Sequence, residues 1–418
     1  MNNALQTLMD RGFFAQCTDI DGLSKLMDSG SVTFYVGCDP TGPSLHIGHM
    51  VPFFAFKHLR AAGHRGIALV GGGTARIGDP SGKTEMRKML SYEQIDENVK
   101  NIEAQLNKFI GFDGETAFTD NNKFWLADLN YIDFLRDIGS CFSVNRMLTF
   151  EAYKKRMETG LTFIEFNYQL LQSFDFLKLH ERHNCCLQIG GDDQWGNIVA
   201  GVDLIRRKTD SKDGNSHQVF GLTFPLITTS DGKKMGKTEK GALFLNSQMT
   251  PVFDFFQYWR NVTDVDVEKF LKLFTFLSLD EIKDLMSGNI NKAKERLAYE
   301  VTKEIHGVEE ADKALAGAKA AFGGGGDRSS MPTVKLAKDM FAGDGIGIVD
   351  LFFAAGLVST KSDARRLVQQ GGSYVTCGEG EERNITDIGV KLREEDFDSN
   401  GELILRAGKK KFARIIFS

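Results

Sequence analysis

A chain of 418 residues, 42% of them apolar, can bury more than one core, so two or three domains are expected. No run of roughly 18 apolar residues occurs, and the N-terminal stretch lacks the basic lead of a signal peptide and the arginine-rich character of a transit peptide, so neither a membrane span nor a leader is expected. The six cysteines form no CxxC pair and read as reduced thiols of a cytoplasmic protein, and a formal net charge of −5 means that any nucleic-acid contact must come from local basic patches.

Residues 1–30 read as a helical lead-in, with Leu5, Leu8 and Met9 spaced for one face and Gly12 as the stop. Val32, Phe34, Tyr35 and Val36 form a short apolar run that predicts a strand buried on both faces. Gly37, Pro40, Gly42 and Pro43 break it, and Ser44 stands where the N-cap of the next amphipathic run belongs. His46-Ile47-Gly48-His49 then falls on the first helical turn, with both imidazoles on one face. Unpaired N–H groups and the helix dipole favour an anion there, so phosphate is the natural ligand, and Gly48 leaves room for a flat ring. A zinc site would need a third ligand at metal-ligand spacing, and none is evident. Two ordinary surface or capping histidines would look the same in isolation; the position after a first strand gives the pair its weight.

Gly66 to Val70 predict a second buried strand, leading into Gly71-Gly72-Gly73-Thr74-Ala75-Arg76-Ile77-Gly78-Asp79-Pro80-Ser81-Gly82-Lys83, where glycines let the backbone pass close to a ligand. Asp79 reads either as a turn-former or as a carboxylate for an amino group. Residues 92–180 are mostly helical in pattern, and Tyr168, Gln172 and Asp175 fall at i, i+4 and i+7 of one run. Polar groups on one stripe among Phe, Leu and Ile face either a neighbouring helix or a ligand; left unpaired, each would cost about 1–3 kcal/mol. Cys186 to Asn197 repeat the strand, glycine turn and helix of the first unit, with Asp193 placed as a ribose-binding carboxylate would be. The apolar run Phe220 to Ile227 leads into Lys233-Lys234-Met235-Gly236-Lys237-Thr238. From Thr250 to about Phe322 the pattern is helical, and Gly323 to Pro332 read as a linker. The last section is small and separate, with Lys361, Arg365 and Arg366 on a helix edge and Lys409, Lys410 and Lys411 in a terminal run free of acidic residues. It is a basic face for phosphates or a solvated charged hairpin.

The HIGH tetrapeptide and the lysine loop, in that order and each after a strand, resemble the two signatures of the class I aminoacyl-tRNA synthetases. YVGCDPTGPSLHIGH, ALVGGGTARIGDPSGK, FIEFNYQLLQSFDFL and LQIGGDDQWGN resemble the bacterial tyrosyl-tRNA synthetases in particular, and the resemblance covers nearly the whole chain. It implies an α/β fold: a doubly wound parallel-sheet (Rossmann-like) catalytic domain at 1–247 with a helical dimer-interface insertion at about 120–180 and the lysine loop at 233–238. A helical anticodon domain at 248–322, a linker at 323–343 and a small α+β RNA-binding domain at 344–418 would follow.

Carried over residue by residue, the resemblance puts Tyr35 and Asp175 at the tyrosine hydroxyl, Asp79, Tyr168 and Gln172 at the α-ammonium group, and Gln194 beside the carboxylate. Gly37, Asp39, Gly48, Gly191 and Asp193 would line the nucleotide; Thr41, His46 and His49 would meet the phosphates. Lys83, Lys234 and Lys237 would close over the pyrophosphate. The implied substrates are L-tyrosine, ATP with Mg2+ and tRNA(Tyr), used by a cytoplasmic homodimer without a structural metal. Phe163 would lie near the dimer interface, and Arg206, Arg207 and Lys208 near the acceptor stem. Three residues depart from the family pattern: Asp192 in place of the usual serine, Arg76 in place of an aliphatic residue, and Met235 where Phe is frequent. A tryptophanyl-tRNA synthetase would share the fold, but the Tyr/Asp pair and the C-terminal module argue against it. A non-catalytic RNA-binding or splicing factor on the same scaffold would not need to keep His46, His49, Lys234 and Lys237.

Overall fold

Six short strands supply the frame on which the polar residues are hung: β1 (Gln16–Cys17), β2 (Thr33–Cys38), β3 (Arg65–Val70), β4 (Ala117–Asn121), β5 (Cys185–Gly191) and β6 (Phe220–Phe224). The computed structural model describes the chain apart from residues 82–88, 210–217, 229, 231–234, 236, 239–240, 324–330, 378–381, 409–410 and 418. Lys83, Lys234, Lys409 and Lys410 therefore lie outside the described residues, as does the side chain of Lys237. The chain divides into two compact units, one of residues 1–250 and 265–284, the other of 251–264 and 285–418.

In the first unit the sheet order is β1-β6-β5-β2-β3-β4. β2 to β6 pair in parallel and β1 joins β6 antiparallel. Parallel strands covered on both faces must be apolar along their length; β6 is buried throughout, and β3 from Gly66 onward. The chain runs outward from β2 through β3 to β4 on one side and from β5 to β6 on the other. The order thus reverses between β2 and β5, and their carboxyl ends open the crevice in which such sheets bind ligands.

The lead-in is the helix Asn3–Arg11, ended by Gly12 at φ 90°. Arg11 is buried and donates to the carbonyls of Lys272, Thr275 and Leu277 (3.1, 3.0 and 2.5 Å), which ties the helix Val267–Phe274 to the lead-in. That is why 265–284, part of the helical stretch that follows the sheet in sequence, packs with the first unit.

The helix Phe163–His183 is the longest of the described elements and carries the polar stripe. Thr162 and Glu165 form a reciprocal capping box at its start, and Asn184 closes it at φ 52°. Glu165 is also held by the Arg156 guanidinium at 2.9 and 3.0 Å, with both side chains buried. Removing either partner would strand a buried charge, so the pair fixes the entry of this helix.

In the second unit the helices Val252–Arg260, Ile290–His306 and Val308–Gly323 pack together, with Phe255 edge-on to His306 at 4.9 Å between ring centroids. The C-terminal part is a five-stranded sheet in the order 382–385, 373–376, 402–407, 411–417, 333–336. Its last pair is parallel and the rest antiparallel. Thr333–Leu336, inside the stretch that reads as linker, is thus an edge strand of this sheet, and Leu336 is part of its core. Phe352, Val368, Leu403, Leu405 and Ile415 fill that core.

Candidate active site

Where β2 and β5 end, the Phe163–His183 helix turns Tyr168, Gln172 and Asp175 toward residues that follow β2, β5 and β4, as i, i+4, i+7 spacing requires. Tyr168 and Asp175 are buried. Their hydrogen bonds form two connected sets.

The first set surrounds Asp175. Its Oδ1 accepts from Trp125 Nε1–H at 2.7 Å and its Oδ2 from Asn122 Nδ2–H at 2.9 Å. Burial pushes this carboxyl up to about 8 despite both donors, and Asp39 and Asp120 add to the rise. Tyr35, buried on β2 against Phe176, has a hydroxyl with no hydrogen-bond partner among the described residues. Burial and the nearby Asp175 push that phenol well above its ordinary value, so it stays neutral. A buried hydroxyl without a partner is costly unless a ligand completes it.

From Asn122 the set continues through Thr74, whose hydroxyl accepts from Asn122 at 2.9 Å and donates to Asp39 Oδ1 at 2.6 Å. Tyr168 donates to Asp39 Oδ2 at 2.8 Å. The approach depends on Gly71, because a Cβ there would collide with Asp39 Oδ1 and Thr74 Oγ1.

The second set surrounds Asp79. Gly78, at φ 91°, turns the chain so that Asp79 Oδ2 accepts from Gln194 Nε2 at 2.8 Å and Oδ1 from the Ser81 backbone N–H at 2.9 Å. Asn197 Nδ2 links Gln172 Oε1 and Gln194 Oε1 at 3.0 and 3.2 Å. Asp79, Gln172 and Gln194 thus bring carboxylate and amide oxygens together, with Asn197 donating to both amides, a set suited to an ammonium group.

His46 and His49 do not sit on an α-helix. They bracket a single 3-10 turn, Ile47–His49, and the α-helix begins at Met50. His46, not Ser44, is the cap: its Nδ1 accepts from Gly48 N–H at 3.0 Å, while His49 Nδ1 accepts from His46 N–H at 3.1 Å. Ser44 is buried and its hydroxyl donates to the Leu45 carbonyl at 2.7 Å instead. With both Nδ1 atoms accepting, each neutral ring carries its proton on Nε2, and the rings lie 3.9 Å apart, centroid to centroid. Two N–H donors side by side suit phosphate oxygens.

Gly37, Thr41, Gly48 and Asp193 are exposed around this corner and Gly191 is half-buried. At the end of the lysine loop, Lys237–Thr238 pairs with Gly241–Ala242. Next, Ile47 N–H donates to the Leu243 carbonyl at 3.1 Å and Leu245 N–H to the Leu45 carbonyl at 2.8 Å. The backbone leaving the lysine loop is therefore pinned to the histidine turn.

The three departures from the family pattern leave the two polar sets intact. Asp192 turns to the sheet edge, where Oδ1 accepts from Gln16 Nε2 at 2.7 Å and Thr223 Oγ1 at 2.9 Å. Arg76 stacks over the Tyr92 ring at 4.2 Å from its centroid. Met235 is buried, and its N–H donates to the Ile227 carbonyl.

The basic residues are partly engaged. Arg206 is exposed, Arg207 donates to the Cys141 carbonyl, and Lys208 pairs with Asp137. Lys361 pairs with Asp350 and Arg366 with Asp363; Arg365 is exposed, and Lys411 donates to the Leu357 carbonyl.

Thr74, Ser81, Asn122, Trp125 and Asn197 complete the two sets without standing out as site residues in the sequence. Thr74, Ser81 and Asn197 lie inside conspicuous glycine-rich runs, and Asn122 follows the end of β4, where a doubly wound sheet places ligand residues. Trp125 gives no such signal.

The family model for class I tRNA synthetases (W and Y) matches residues 27–323. The chain is 63% identical to a tyrosine–tRNA ligase of Treponema denticola over 418 residues, all of both chains. It is 58% identical to that of Treponema pallidum over 416 residues, covering 100% of this chain and 99% of the relative. Among solved structures, a C-terminally truncated mitochondrial tyrosyl-tRNA synthetase of Aspergillus nidulans is similar with a TM-score of 0.70 at 31% identity, over 76% of this chain and 94% of that one.

The raised Asp175 carboxyl has a consequence for stability. The folded state holds this proton more tightly than the unfolded chain, whose ordinary value is 3.8. Its contribution is complete below about pH 4 and is lost as pH rises through about 8. In Asp175→Asn that slope disappears. Urea midpoints at about pH 5 and pH 8.5 should show the wild type losing stability relative to the variant by on the order of a few kcal/mol. Equal pH dependence of the two proteins contradicts the assignment.

Proposed function

The chain belongs to the class I tRNA synthetases for tryptophan and tyrosine and acts as a tyrosine–tRNA ligase, and from that premise we propose how its residues divide the work. The observation that carries the proposal is the buried Tyr35 hydroxyl without a partner beside Asp175, a carboxyl group already oriented by two donors. The substrate phenol donates to Asp175 and accepts from Tyr35. Phenylalanine would leave both unpaired, a form of rejection whose standard example is this same enzyme class. The α-ammonium group is held by Asp79, Gln172 and the Tyr168 oxygen, with Gln194 beside the carboxylate.

Activation needs no proton transfer. The tyrosine carboxylate oxygen attacks the ATP α-phosphorus, the bond to the β-phosphate bridging oxygen breaks, and pyrophosphate leaves. What the protein supplies is position and charge stabilisation. Gly37, Asp39, Gly48, Gly191 and Asp193 line the nucleotide, and Thr41, His46 and His49 donate to the phosphates. Lys83, Lys234 and Lys237 add positive charge from the loops, and the ATP arrives as its magnesium complex, a substrate in its own right. A hydroxyl of the 3′-terminal adenosine of tRNA(Tyr) then attacks the activated carbonyl and AMP departs.

The test is amino-acid-dependent ATP–pyrophosphate exchange over all twenty amino acids. Tyrosine alone should support exchange. His49→Asn should lower kcat by about 10²–10³ with little change in the KM for tyrosine. Exchange with tryptophan, or a KM effect alone, contradicts the roles given to Tyr35, Asp175 and His49.

The enzyme works as a homodimer in the cytoplasm, its six cysteines all free. Phe124, Ile132 and Phe163 are 75%, 70% and 70% exposed in and around the helical insertion, an apolar set that a second copy would cover. Phe163→Asp should yield monomers in sedimentation; an unchanged dimer places the interface elsewhere. The helices of 248–322 and the C-terminal module, which begins at the Thr333–Leu336 strand and carries Lys361, Arg365, Arg366 and Lys409 to Lys411, hold the tRNA body. Arg206, Arg207 and Lys208 meet its acceptor stem. Reversing the charge of Arg206 should leave exchange intact and weaken tRNA charging, whereas equal loss of both would remove it from the tRNA site.

A further inference from the structure

Asn122 stands between two carboxylates that serve different substrates. Its Oδ1 accepts from the Gly73 N–H at 2.7 Å, which fixes the amide's orientation. Both Nδ2 protons are then committed, one to Asp175 Oδ2 and one to Thr74 Oγ1, each at 2.9 Å. The Thr74 hydroxyl has one proton, and it goes to Asp39 Oδ1 at 2.6 Å. Tyr168 closes the path by donating to Asp39 Oδ2 at 2.8 Å.

The Gly71 carbonyl is a second, more distant acceptor for the Thr74 hydroxyl at 3.4 Å, and the shortest bond of each donor sets the donor and acceptor sense from end to end. Thr74, Asn122, Asp175 and Tyr168 are all buried, where a lost hydrogen bond finds no ready replacement in water. Asn122 comes from the end of β4, Thr74 from the turn after β3, Asp39 from the end of β2, and Asp175 and Tyr168 from one helix. The path therefore joins four separate elements through groups that carry no charge in its middle.

We propose that Thr74 and Asn122 are positioning residues, a neutral bridge that holds the phenol-facing Asp175 and the nucleotide-facing Asp39 in one arrangement and so makes the use of tyrosine and of ATP depend on the same hydrogen bonds. The bridge rests on the reading of the two sites given above.

Thr74→Val removes the hydroxyl at nearly the same shape, and Thr74→Ser keeps it. In pyrophosphate exchange, Thr74→Val should raise the KM for tyrosine and the KM for ATP together, each about tenfold, the size of effect expected from one buried hydrogen bond. Thr74→Ser should restore both, and should also regain the few degrees of thermal midpoint that Thr74→Val loses. Combining Thr74→Val with Asn122→Ala should cost no more than Asn122→Ala alone, because both cut the same path. A rise in only one KM, no rescue by serine, or multiplying effects overturns the bridge. If the wild type shows no tyrosine-dependent exchange, the reading of the sites fails, a result distinct from these.

Discussion

A carboxyl group taken out of water must be given fixed donors or give up its charge, and Asp175 lives under that constraint. Trp125 and Asn122 each donate to one of its oxygens. To supply Asn122 the chain needs the end of β4, to accept from Asn122 it needs Thr74 after β3, and to bring Thr74 to Asp39 it needs a glycine at 71. The sheet, the glycine run and the long helix thus meet the demands of one buried polar group.

The histidine turn answers a different constraint. His46 and His49 each spend Nδ1 on a backbone N–H, which fixes both rings against the turn. Backbone pairing of Leu45 and Ile47 with Leu243 and Leu245 gives the segment downstream of the lysine loop a fixed relation to these rings.

Much of this was legible in the residues. The apolar run at Val32 to Val36 could only be a buried strand, and the i, i+4, i+7 stripe of Tyr168, Gln172 and Asp175 could only share a helix face. Local pattern failed where the competing interaction was local but stronger: His46 caps the turn through its own ring, so Ser44 is free to bond a carbonyl. It failed again where contacts are distant in sequence. No spacing rule links Trp125 to Asp175 or Arg11 to Thr275, and nothing in the linker composition announces that Thr333–Leu336 pairs with the C-terminal strand. Nor does any spacing rule show that Gln16 and Thr223, from two other strands, hold the Asp192 carboxylate.

The most direct test is a crystal structure of the protein with L-tyrosine. The phenolic oxygen should lie within about 2.6–3.2 Å of both Tyr35 Oη and an Asp175 oxygen, with the ammonium group at Asp79 and Gln172. Tyrosine bound in the reverse sense, or outside the crevice with Tyr35 still unpartnered, would contradict the account.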